Sequence, residues 1–154
     1  MELEIEWKGW YGLNIETPPG MEGLRGLFAN LYDSEIYYIG KAQGKSHLFQ
    51  ESKHRYKSLK KALTELGVLK EPIDRTAMDK IAKEHCKKYV GILQDESKLA
   101  FLDSAENLLI FTKKPKGNDK LKKRYKGTRP FKLINRGEKS ILAALGLEDY
   151  YEIL

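Results

Sequence analysis

The period of the apolar positions changes along the chain and divides it into elements. Leu3, Ile5 and Trp7 alternate with Glu2, Glu4 and Glu6, the two-residue period of a strand with one face buried. After Gly9, the segment Trp10 to Ile15 reads as a second strand, and Pro18-Pro19-Gly20 as a turn. Strands are predicted at Gly26 to Leu31 and Ile36 to Ile39, joined by the short loop Tyr32-Asp33-Ser34-Glu35, so the two are expected to form an antiparallel hairpin. From Leu48 to Leu66 the period lengthens. Leu48, Ser52, Arg55, Leu59, Leu63 and Leu66 recur at helical steps, lysines fill the other face, and Gly67 supplies a stop. A weaker helix follows from Asp74, its N-cap, to Cys86, with Met78, Ile81 and Ala82 facing inward. Next come a strand at Tyr89 to Leu93 and a helix from Asp95 to about Phe111, ended by Pro115. A strand at Phe131 to Ile134 and a helix around Ser140 to Leu145 complete the chain. This order predicts an α+β fold, a small mixed or antiparallel sheet flanked by helices, in one domain over residues 1–154.

Composition narrows the class. Hydrophobic residues at 41% and charged ones at 32% are the balance of a globular protein and not of a disordered one. No apolar run reaches the roughly 20 residues of a membrane span. The acidic, alternating N-terminus lacks the basic and apolar regions of a signal peptide. Cys86 is the single cysteine, so no internal disulfide forms, and the cytoplasm is the expected compartment. The net charge of +6 gains meaning from its location. Lys113 to Lys132 holds ten lysines and arginines against one acid, Asp119, which leaves the rest of the chain net negative. A run of this kind either grips a polyanion or is a solvated loop, and Tyr125 and Phe131 within it favour the first reading, since aromatic rings stack on bases.

Two charged residues fall on apolar faces. Leu99, Leu102, Leu109 and Ile110 lie at helical spacing from Glu106, which turns that carboxylate toward the protein. There it needs a cation, a metal or good donors. A hard oxygen ligand suits Mg²⁺, and the alternative is a rim carboxylate paired with a lysine. Arg55 shares the stripe of Leu48, Leu59 and Leu66, and an inward guanidinium wants a phosphate or an internal carboxylate.

The segments Gly26-Leu27-Phe28 and Tyr38-Ile39-Gly40, followed by Arg55 on a helix, then Glu106 in Ala105-Glu106-Asn107-Leu108-Leu109-Ile110, then Pro115 and Asn118, resemble in order the motifs of the GIY-YIG nuclease family. The resemblance covers residues 24 to 118. It leaves N-terminal strands over residues 1–23 and a basic extension over residues 119–154. It implies a divalent-metal-dependent endonuclease that hydrolyses phosphodiester bonds. Tyr38 is then the active-site tyrosine, Arg55 the residue that stabilises phosphate charge, Glu106 the ligand of one Mg²⁺ or Mn²⁺, and Asn118 the asparagine near the site. His54 and His47 are nearby candidates for a general base. Lys41, Lys113, Lys114, Lys116, Lys122, Lys123, Arg124, Lys126 and Arg129 are the expected contacts to nucleic acid, with DNA expected over RNA. Cleavage of both strands would call for a homodimer. Three positions depart from the family pattern: Phe28 replaces a tyrosine, Gln43 to Gln50 lengthen the path to Arg55, and Leu59 stands where many members carry histidine. They leave open an inactive binding module of the same fold, and a protein-interaction domain with a solvated basic tail is the third class.

Overall fold

In the computed structural model the described residues are 1–13, 15–43, 48–49, 55–69, 73–120 and 122–154, with only the backbone described at 55 and 56. The N-terminal alternation becomes β1 (Glu2–Tyr11), which places Leu3, Ile5 and Trp7 in the core. Among the described residues of Trp10 to Ile15 no separate strand forms. A register shift between Gly9 and Tyr11 lets β1 run on along its partner, and Gly9 lies so close to Tyr89 that a Cβ there would sit 2.6 Å from the ring. The expected hairpin is present as β2 (Gly26–Tyr32) and β3 (Glu35–Ala42), paired antiparallel.

The helix expected from Leu48 is described only from Arg55, as α1 (Arg55–Glu65). Leu48 and Phe49 form a turn and are buried beside Ala42 and Val90, so their apolar spacing reflects sheet packing and not a helical face. Next comes α2 (Arg75–His85), capped by Asp74, whose carboxylate accepts from the Ala77 amide at 2.8 Å. It leads directly into β4 (Cys86–Leu93). The helix expected from Asp95 is split into a 3₁₀ segment, Glu96–Phe101, and α3 (Leu102–Lys113). The chain ends with β5 (Phe131–Arg136), α4 (Lys139–Leu145) and β6 (Tyr150–Ile153). The last was not visible in the hydrophobic pattern, because it is a four-residue edge strand of alternating exposure.

The six strands form one mixed sheet in the order β3-β2-β4-β1-β5-β6, parallel only between β1 and β5. This is the α+β class. β1 lies inside the sheet between β4 and β5, so the N-terminal residues are part of its core. Helices α3 and α4 cover one face, burying Leu102, Leu108, Leu109, Leu142 and Leu145 against Ile5, Trp7, Leu27 and Leu133. Helices α1 and α2 pack on the other through Leu59, Leu63, Met78 and Ala82, against Tyr37 and Cys86. Each large side chain buried this fully stabilises the fold by roughly 1.5–3 kcal/mol over leaving it exposed. Among the described residues no helix is long and apolar enough to cross a membrane.

Candidate functional site

The sheet ends at β3, and an open edge strand needs its outward backbone groups covered. The loop after α3 does this. Lys114 closes the helix in the left-handed conformation (φ 50°), and Pro115 prevents its continuation. The Gly117 amide then donates to the Tyr37 carbonyl at 2.6 Å. The Asn118 side chain accepts from the Ile39 amide and donates to the Ile39 carbonyl, each at 2.9 Å, in place of a neighbouring strand. A Cβ at Gly117 would lie 2.4 Å from the Tyr37 oxygen, so this approach needs glycine. Asn118 thus fixes the backbone beside Tyr38, and its amide is spent in doing so.

Between this loop, α1 and α3 lies a pocket of about 340 Å³, lined by Tyr38, Glu106 and Asn118 together with Lys57, Ser58 and Lys61 of α1 and the Asp119-Lys120 pair. Tyr38 and Glu106, read from separate motifs, share this cavity. Glu106 is half-buried, and no hydrogen bond or ion pair to it occurs among the described residues. Burial raises its pKa above the ordinary carboxylate range, and the charge of Lys41 opposes this in part. Lys41 is itself paired with Asp103. Burial also raises the pKa of Tyr38, and the negative charges of Glu106 and Asp119 add to the effect. Tyr38 therefore carries its proton at neutral pH and acts as a hydrogen-bond donor.

The other residues expected at the site are distributed widely. Arg55 opens α1, and its side chain lies outside the described residues, as do His47 and His54. Leu59 is fully buried under α1, in the core and not in the pocket. Lys122 is near enough to Lys61 and to Lys116 for repulsion, and Lys116 lines a separate cavity beside α4. Lys113 donates to the Gly146 carbonyl, and burial lowers its pKa. Lys114 donates to the Lys122 carbonyl. Lys123, Arg124 and Lys126 are exposed. Arg129 donates to the Leu154 carbonyl at 3.2 Å and lies over the Tyr125 ring, near the opposite edge of the sheet. Tyr125 and Phe131, expected to favour base stacking, are instead buried in the main core, and the Tyr125 hydroxyl is engaged by the Thr128 carbonyl at 2.6 Å.

Trp7 packs in the core, donating to Asn135 at 3.0 Å, whereas Trp10 is 57% exposed beside the Lys87 ammonium. His85 contacts Asp33 at 3.0 Å and the Tyr32 ring. Strand alternation alone would put Tyr37 and Tyr38 on opposite faces. A register shift between Asn30 and Leu31 breaks the alternation, and both tyrosines pack toward α1 and α2. Tyr37 hydrogen-bonds Cys86, whose thiol is pushed up to about 12 by burial.

The sequence reading missed the pocket lysines of α1, Lys57 and Lys61, whose four-residue spacing was taken for a solvated face. It also missed Lys88. Cys86, Lys88 and Val90 alternate on one side of β4, so a lysine there had to be buried, and that pattern was available in the sequence. Lys88 pairs across the sheet with Asn30, which in turn faces Tyr38, and its ammonium lies 4.7 Å from the centre of the Phe28 ring. The Phe28 ring is 5.9 Å from that of Tyr38.

Comparison with protein-family models, curated proteins and solved structures returns no match.

Proposed function

We propose that the protein is a divalent-metal-dependent endonuclease of GIY-YIG type that hydrolyses DNA phosphodiester bonds at the Tyr38–Glu106 pocket. The observation that carries this reading is a half-buried carboxylate without a hydrogen-bonding partner among the described residues, next to a protonated tyrosine and under a rim of lysines. The element order supports it. The two strand motifs lie on the hairpin β2–β3, Arg55 begins the next helix, and Glu106 lies on the helix after β4.

Among the described residues no group of three or more histidines, cysteines or carboxylates converges to form a closed metal cage. Glu106 alone fits Mg²⁺ or Mn²⁺ of the kind held by one carboxylate, with waters and substrate oxygens as the other ligands. Bound there, the ion would supply charge neutralisation at the phosphate and an acidified water. The chain's own contributions are then distinct. Glu106 holds the cation and gains its full charge by doing so. Tyr38 donates a hydrogen bond to a phosphate oxygen or to the attacking water. Arg55 neutralises phosphate charge, and Asn118 keeps Tyr38 in place by pinning Ile39. The reading extends to a cytoplasmic enzyme, acting as a homodimer where both strands are cut.

Nicking and linearisation of supercoiled plasmid with Mg²⁺ or Mn²⁺ tests it. The wild type is expected to cleave, and Glu106→Gln to lose about 10²-fold or more of the rate, because the stabilisation removed amounts to several kcal/mol. Cleavage that persists in Glu106→Gln would sink the assignment. Salt-sensitive binding without any cleavage by the wild type would make the protein a binding module.

A further inference from the structure

The cations around Asp119 belong to two stretches of chain. Lys57 and Lys61 come from α1, and Lys122 from the segment beyond the loop that covers β3. Lys61 is held by the Asp119 carboxylate, by the Asn118 carbonyl at 3.4 Å and by Glu65 at 3.8 Å. The charges of Lys57 and Lys122 also reach Asp119. Burial, together with repulsion from Lys61 and Lys116, lowers the pKa of Lys122, and the two nearby carboxylates, Glu65 and Asp119, oppose this without balancing Lys57, Lys61 and Lys122. Positive charge crowded in this way favours a further anion. Asp119 is exposed, and an exposed ion pair is weakly held and exchanges cheaply for a better acceptor. Lys57 and Lys61 also line the pocket that holds Tyr38 and Glu106.

We propose that Lys57, Lys61 and Lys122 form a second phosphate site, which a phosphodiester of the substrate strand enters by displacing the Asp119 carboxylate from Lys61. The inference rests on the nuclease reading of the adjoining pocket and adds to it a non-scissile phosphate gripped by α1. Asp119 stands in for that phosphate when no strand is bound. The site reads backbone charge and carries no base preference.

Fluorescence anisotropy of a labelled duplex oligonucleotide tests it, measured across a salt series with Glu106→Gln as the non-cleaving background. Lys61→Met is expected to weaken binding roughly 3- to 10-fold at low salt and to reduce the salt slope by about one. Lys122→Met is expected to act in the same direction, which guards against a defect specific to α1. Asp119→Asn is expected to tighten binding about 3-fold, a gain that disappears when combined with Lys61→Met. An equal gain with and without Lys61 would overturn the displacement, and an unchanged slope in both lysine variants would overturn the site. A mononucleotide competing at the oligonucleotide's own concentration would make it a nucleotide site and not a strand site. Binding that ignores all these changes refutes this inference alone, whereas no binding at low salt refutes the nucleic-acid reading with it.

Discussion

The two edges of the sheet treat charge in opposite ways. At the β6 edge three cations near the strands have local contacts. Arg129 reaches the Leu154 carbonyl, Lys132 lies 4.4 Å over the Tyr150 ring, and Arg136 pairs with Glu4. At the β3 edge charge is left uncompensated. Glu106 is half-buried with its pKa raised, and Lys122 is crowded by other lysines. Burying a charge without a full partner costs stability, so the β3 edge carries a cost at Glu106 that the contacts named at the β6 edge avoid. The difference also divides the basic run from Lys113 to Lys132, in which Lys120 lines the pocket while Arg129 and Lys132 have their contacts at the far edge.

The largest expected effect tests how the β3 edge is held. Asn118→Ala removes both bonds to Ile39 and leaves a buried amide and carbonyl unpaired. The expected loss is about 2–4 kcal/mol, read as a lower midpoint in urea with an unchanged slope. A loss below about 0.5 kcal/mol would mean that the loop does not hold the edge.

Much of this contrast was legible in the sequence, for a physical reason. Alternation at Leu3, Ile5 and Trp7 and helical spacing around Glu106 depend on neighbours a few residues away, and both give the right element. The spacing also placed Glu106 on an inward face, and the structure finds it half-buried in the pocket. What could not be read depends on distant contacts. Leu48 and Phe49 fit a helical stripe but pack on the sheet as a turn. Tyr125 resembled a stacking platform until α3 and β5 buried it. The lysines of α1 gained a role only when the covering loop brought Asp119 to Lys61.

A second, smaller effect concerns the cost of the Glu106 charge. Its folded-state pKa is raised, so the protonated form is the one the fold favours. That favourable contribution is fully present below the ordinary carboxylate range and is lost as pH rises through the raised value. Glu106→Gln keeps the neutral form at every pH. Without added metal, its stability advantage over the wild type is therefore expected to grow across that window and to level off above it. Added Mg²⁺ is expected to raise the melting temperature of the wild type and not of the variant. A wild type more stable than Glu106→Gln at neutral pH without metal would show that the carboxylate is already satisfied within the protein.

The smallest effect separates the two halves of the basic run. The Arg129 guanidinium is tied to the Leu154 carbonyl and to the Tyr125 ring, beside the edge away from the pocket, so little of its hydrogen-bonding capacity faces a strand bound at Glu106. Arg129→Gln is therefore expected to change oligonucleotide affinity less than about 2-fold and to leave the salt slope unaltered. Lys120→Gln, at a residue lining the pocket, is expected to reduce the slope by about one. Both variants remove one positive charge, so a purely global field would move both affinities equally and at long range, an effect salt screens beyond about 10 Å. Equal slopes for the two would mean that the strand crosses the whole basic run. A flat response from Arg129→Gln beside a reduced slope from Lys120→Gln would confine the bound strand to the β3 edge.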